Sequence, residues 1–345
     1  MRKIAYVLSA AVAALSLASC DKETTMATPK AGDPVEVTVT INGGVSTRVT
    51  GVTPQEGRND SADEARVNTL QILVFNGGER ETYRKVDGSL SCTLEATAGE
   101  RVVWAVVNAP DLSSCETLEA LERGVTGLSD NSVGSFVMAG SRTQELVDGG
   151  TVPVTVKRVV ARVSVGKIST SFRYERENYS LDIQSIYLIN VGGVNFYNVG
   201  GEPASYVNRL GHNDAAYDAL LFDALDGVSV SNGKPYETAH FFYPYPNTHP
   251  EEGEAQTFAD EWDPRGTLLV IQARALDADG SLVKAGYYPV VLPALERNKT
   301  YHIDEVNITR LPGDMPYRPI QTGDTQVTVT VNEWETGLVI PAVTI

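Results

Sequence analysis

The chain has 345 residues, with 44 acidic against 28 basic side chains, a formal net charge of −16, 30 Gly, 17 Pro, 3 Cys and 4 His. Its length suits two domains of roughly 100–200 residues each, and its 42% hydrophobic content can build packed cores, which excludes a disordered or collagen-like chain. The acid surplus argues against a nucleic-acid or anionic-membrane binder, since either needs a basic face to displace counterions, and three cysteines exclude a disulfide-dense miniprotein.

Arg2 and Lys3 precede a mainly apolar run over 4–17, too short to span a bilayer comfortably, so residues 1–19 read as a signal peptide. Leu17-Ala18-Ser19-Cys20 resembles a bacterial lipoprotein box, which implies that Cys20 is acylated, as with palmitate, and becomes the mature N-terminus. After a tether over 21–34, the alternation of Val35, Val37, Val39 and Ile41 predicts a strand with one buried face. Val45-Ser-Thr-Arg48-Val49 then offers a single arginine among small residues, the accessible sequence that a trypsin-like, Arg-specific protease requires. The charged loop over 51–65 is expected at the surface.

Period-two patterns predict further strands over 67–75, 101–108, 152–168, 181–191, 239–245, 267–276, 284–292, 300–309 and 325–334. Only 111–123 and 213–225 look helical. Cys92 belongs to an alternating set with Leu90 and Leu94, and Cys115 to the first helix; both read as free thiols. Strands of this kind throughout predict an all-β chain of β-sandwiches. Two back-to-back strand patterns over 152–166, with Lys157 and Arg158 between them, place the domain boundary after Arg158.

Chemistry is sparse. The chain has no H-E-x-x-H, Walker loop, G-x-S-x-G elbow or C-x-x-C pair, and His212, His240, His249 and His302 lack metal-ligand spacing. No catalytic residue, metal or cofactor is nominated. The run Phe241-Phe-Tyr-Pro-Tyr-Pro-Asn247 suits packing better than stacking on a sugar, and Asp277 and Asp279 suit a hairpin turn better than a calcium loop.

Several segments in fixed order carry a resemblance: the Leu-Ala-Ser-Cys20 box, the strand leading to Arg48, Val102-Val-Trp-Ala-Val-Val-Asn108 and Val156-Lys-Arg-Val-Val-Ala-Arg-Val163. It continues in Tyr287-Tyr-Pro-Val-Val, Arg297-Asn-Lys-Thr-Tyr-His-Ile303, Asn307-Ile-Thr and Val-Thr-Val-Asn-Glu-Trp334. Together these resemble the fimbrillin family, the FimA-like major (stalk) subunits of type V pili. The resemblance implies two tandem transthyretin-like β-sandwich domains with one or two short helices, and no enzyme activity. It also implies export through the lipoprotein machinery to the outer membrane, cleavage after Arg48, and head-to-tail strand exchange with identical subunits. Accessory tip and anchor subunits are the implied partners, and adhesion and biofilm formation the implied role.

On that reading residues 20–48 form a lipidated propeptide, 49–158 the first sandwich and 159–345 the second, with donor strands in 325–345. The displaced strand contributes Val35, Val37, Val39 and Ile41. Val327, Val329 and Val331 repeat its spacing, while Trp334 falls out of step; Leu338, Val339, Ile340, Val343 and Ile345 form a second set. Residues 49–345 keep 23 basic and 40 acidic groups, so free subunits repel one another. The rival readings are an anchor or tip subunit, or a monomeric surface lipoprotein that binds glycan or host protein through the loop from Phe241 to Tyr245.

Overall fold

The structure, a computed structural model, describes residues 30–43, 64–198, 205–248, 266–318, 330–333 and 343–344. The first half holds β1 (Pro34–Asn42), β2 (Thr69–Asn76), β3 (Glu79–Asp87), β4 (Ser91–Thr97), β5 (Gly99–Val107), α1 (Leu118–Glu122), β6 (Val125–Gly127), β7 (Met138–Leu146), β8 (Gly150–Thr155) and β9 (Lys157–Arg158). A sheet in the order β3-β2-β5-β7-β9 packs against a second in the order β4-β1-β8; β4, β1 and β8 place alternate side chains in the core, whereas the central strands β2 and β5 are buried in nearly continuous runs. The β2–β3 hairpin closes on Gly77 and Gly78, whose φ values of +58° and +99° are the two positive angles that a tight hairpin turn needs.

The second half holds β10 (Arg162–Val165), β11 (Ile168–Thr170), β12 (Ser180–Ile189), β13 (Val191–Gly192), β14 (Val194–Phe196), β15 (Tyr206–Val207), α2 (Asp218–Leu221), β16 (Phe222–Ser231), β17 (His240–Phe242), β18 (Leu268–Leu276) and β19 (Leu282–Val291). It closes with β20 (Lys299–Ile303), β21 (Val306–Ile308), β22 (Thr330–Glu333) and β23 (Val343–Thr344). One layer is the sheet β16-β12-β18-β19. The other is β17-β10-β20-β22, continued by β11-β21-β23, because the bonds from Gly166 N to Ile303 O and from Val306 N to Lys167 O carry the ladder across the kink. The molecule is thus all-β, a pair of β-sandwiches.

Two differences from the sequence reading have physical causes. The helix expected over 111–123 shrinks to α1, because Arg80 Nη1 donates to the carbonyls of Ser113 and Cys115 at 2.6 and 2.7 Å and Asp111 bonds Tyr83 and Ser113, taking groups a longer helix would use. The helix expected over 213–225 ends at Leu221, since Phe222, Asp223 and Ala224 pair with Tyr187, Ile186 and Ser185 of β12. The charged loop also departs from expectation at its end: Glu64 is only 2% exposed.

Glu64 belongs to the waist between the sandwiches. Its carboxylate accepts a 2.6 Å bond from the Tyr243 hydroxyl and lies 3.2 Å from Arg162 Nε, while its carbonyl accepts from Arg158 Nε. Tyr245 OH donates to Gly127 O and receives a 2.7 Å bond from Asn131 Nδ2. Half-buried Arg297 donates to the carbonyls of Tyr197, Asn198 and Lys157, and β6 pairs with β14 across the junction. The aromatic run therefore does pack: Phe242, Tyr243 and Tyr245 are buried, and the Phe136 ring packs tilted against Tyr243 with centroids 4.6 Å apart.

That burial has a pH signature. Desolvation pushes Tyr83 and Tyr197 up to about 12 and raises Tyr187, Tyr243, Tyr245 and Tyr288 as well, Tyr243 further by the Glu64 carboxylate. Above pH ~10 the unfolded chain ionises these phenols while the folded chain keeps them protonated, so the stability present below that pH falls as it rises. In an alkaline titration, tyrosinate absorbance from this group is expected to appear together with loss of circular dichroism; early absorbance without unfolding would contradict the burial.

Candidate assembly site

β1 takes the middle place of its sheet. It runs antiparallel to β4 and parallel to β8, so both edges of its backbone are paired. Val35, Val37, Val39 and Ile41 are 3, 1, 0 and 6% exposed. Ala96, Leu94 and Cys92 of β4 stand opposite the first three, and Val152 and Val154 of β8 opposite Val39 and Ile41. The alternate residues face outward, where the Thr38 and Thr93 hydroxyls bond at 2.9 Å and Glu36 lies opposite Glu95. Period two in the sequence thus becomes one apolar and one polar face.

The ends of the seat are tied differently. At the outer pole of the first sandwich, Glu36 N donates to Asp148 Oδ1 at 3.0 Å and Gly149 N to Glu36 O. At the waist, Val156 N donates to Asn42 O, and Gly43 turns away at a φ of +111°. A Cβ on Gly43 would lie 2.2 Å from Val156 O, so only glycine fits there. Taking β1 away would leave β4 and β8 with unpaired backbone on either side of an apolar trough, a template for another strand.

The described parts of the proposed donor region lie on the second sandwich. β22 pairs antiparallel with β20, Val331 opposite Tyr301, and β23 pairs parallel with β21, Val343 opposite Val306. Cys20, Arg48, Val49, Val327, Val329, Trp334, Leu338, Val339, Ile340 and Ile345 lie outside the described residues, as does His249. What the sequence did not supply is the wall of the seat: β4 and β8 are remote in the chain, and Gly43 gave no signal beyond being a glycine after a strand.

The other candidates do not assemble a reactive site. Cys92 and Cys115 are free, and burial raises both thiols. His212 pairs with Asp218, His240 with Asp223, and His302 with Ser164 and Asp304, each with local partners. Among the described residues no cluster of three or more His, Cys, Asp or Glu could hold a metal ion. Asp277 Oδ1 accepts from the backbone of Asp279 and Ser281, the bonding of a hairpin turn.

No protein-family model matches the chain. It is 21% identical over 407 aligned positions to major fimbrium subunit FimA type-3 of Porphyromonas gingivalis, covering 97% of this chain and 98% of the relative. It is 24% identical over 266 positions to a fimbrium tip subunit, Fim1C, of Parabacteroides distasonis, covering 67% and 69%. The fold matches the crystal structure of a fimbrilin from P. gingivalis W83 with a TM-score of 0.58 at 18% identity, covering 88% of this chain and 96% of that one.

Proposed function

We propose that this chain, a homologue of the FimA major fimbrium subunits over nearly its whole length, is the repeating stalk subunit of a cell-surface fimbria serving adhesion and biofilm formation. It is a structural protein, as its relatives are, and not an enzyme. It reaches the outer membrane as a lipoprotein acylated at Cys20, is cut after Arg48 by an Arg-specific protease, and joins identical copies head to tail, with accessory tip and anchor subunits at the ends. The repeat is then residues 49–345, with sandwiches over 49–158 and 159–345.

The observation that carries this reading is the seat of β1. An N-terminal strand that lies centrally in its sheet, with four aliphatic side chains buried, is followed six residues later by Arg48 in a small-residue segment. Cutting there frees the strand's waist end and opens a trough that a strand from another copy can fill. Because donor and acceptor are different surfaces, the contact propagates into a filament instead of closing a dimer.

N-terminal sequencing of protein from the cell surface is expected to give Val49, and Arg48→Ala protein treated with an Arg-specific protease is expected to give no heat-stable ladder on a denaturing gel. Ladders from that variant would overturn the processing step, and acylated Cys20 on the surface form would make the chain an anchor. A tip subunit is the second reading, favoured by the match to Fim1C. A stalk subunit ladders alone once cut, whereas a tip subunit stays monomeric. The glycan-platform alternative loses its footing, because Tyr243 and Tyr245 are wholly buried at the waist.

A further inference from the structure

Tyr174, in the turn between β11 and β12, is 86% exposed, the most of any exposed large hydrophobic side chain among the described residues. Its φ of +59° puts a bulky residue in the left-handed region that such residues avoid. The turn is nonetheless bolted in place. Asn232 Nδ2 donates to Phe172 O at 2.8 Å and Glu177 O at 3.2 Å, while its Oδ1 accepts from Phe172 N and Thr170 Oγ1. Strain held by surrounding bonds, on an aromatic that adds nothing to its own core, marks a surface built for contact.

Its position names the partner. Ser180 stands opposite both Ser231 and Leu276, and Leu276 opposite Leu282, so the turn shares one end of the second sandwich with exposed Leu282 and Val283. Ser171 N donates to Ile308 O, which brings the β21–β23 ladder to the same outer pole. The seat of β1 starts at the opposite extreme, the outer pole of the first sandwich, where Val147 is 45% exposed. A strand passing from the second sandwich of one copy into the first sandwich of the next brings these two poles together.

Charge favours the same pairing. A chain of net charge −16 repels its copies, but Arg173 and Arg176 balance Glu175 and Glu177 in the turn, making it a neutral island. At the other pole Glu100 stands opposite Glu145, near Asp148, and none of the three is ion-paired among the described residues. The turn's two guanidiniums therefore suit a pole whose carboxylates no cation balances among the described residues.

We propose that the Tyr174 turn is a contact between subunits, seated on the first-sandwich pole of the next copy around Val147 beside the exchanged strand. The inference rests on the head-to-tail reading above. Its test uses Tyr174→Cys and Val147→Cys, singly and together, in assembled protein that is oxidised, boiled and run without reductant. The double variant is expected to leave covalent ladders beyond the dimer, and the single variants none.

Tyr174→Gly supplies a second readout. Glycine removes the strain, so the unassembled precursor is expected to melt at a higher temperature, yet its processed form should give ladders several-fold shorter than wild type. Wild-type ladders with no excess of covalent multimer in the double variant would overturn the contact. Unchanged ladders in Tyr174→Gly would also overturn it and assign the turn to a different partner. Absence of ladders in wild type would instead remove the head-to-tail reading, and the contact with it.

Discussion

A chain made to start at Val49, without residues 20–48, is expected to lose most of the stability of its first sandwich when kept dilute. Val35, Val37, Val39 and Ile41 are almost fully buried, and at about 1.5–3 kcal/mol for each such side chain their loss removes roughly 6–12 kcal/mol. Whole domains are stable by only about 5–15 kcal/mol. The ladders to β4 and β8 are lost too, leaving buried backbone groups without partners.

Calorimetry should show the first-sandwich transition fall by tens of degrees or vanish, against a full-length Arg48→Ala control. A synthetic peptide of residues 34–42 should restore it in a concentration-dependent way, since a ligand at ~100 times its dissociation constant adds about 2.7 kcal/mol. A Val49-start chain that melts like the control, with no response to peptide, would show that β1 is dispensable and that the trough is no acceptor.

Such a result would depend on features that were unequally legible in the sequence. β1 and its inward set could be read because one buried face imposes strict alternation. Its neighbours could not: pairing with β4 and β8 joins segments far apart in the chain, and no local pattern encodes that. β3 was missed because an edge strand with charged residues on both faces, Glu79 to Asp87, has no apolar period. β7 and β16 were missed for a similar reason, each exposing polar residues through its middle. Both helices were drawn too long because Arg80 and β12 compete for their backbones. The aromatic run was legible as packing, but its place at the waist was not. Tyr174 carried no signal, since an exposed tyrosine in a charged turn looks ordinary until its backbone angle is known.

Truncation after Gly323 is the complementary case, and it separates donating from accepting. β22 and β23 occupy the edge beside β20 and β21, where among the described residues each is paired on one side only. A strand moving from that edge to the seat of β1 gains pairing on both sides and an apolar trough, so exchange runs downhill once the seat is empty. The truncated chain keeps both sandwiches and should fold, losing only edge pairing in the second. After cleavage at Arg48 it is expected to give no ladder at all.

Mixed with full-length protein, it should still accept a strand and then end the filament, because it has none to pass on. Ladder length should therefore fall as its share of the mixture rises. Ladders from the truncated chain alone would place the donor elsewhere, and mixtures of unchanged length would deny it an acceptor seat. Within the region, Val329→Asp should abolish assembly if the first set inserts and Val343→Asp if the second does, since an unpaired carboxylate in an apolar trough costs several kcal/mol.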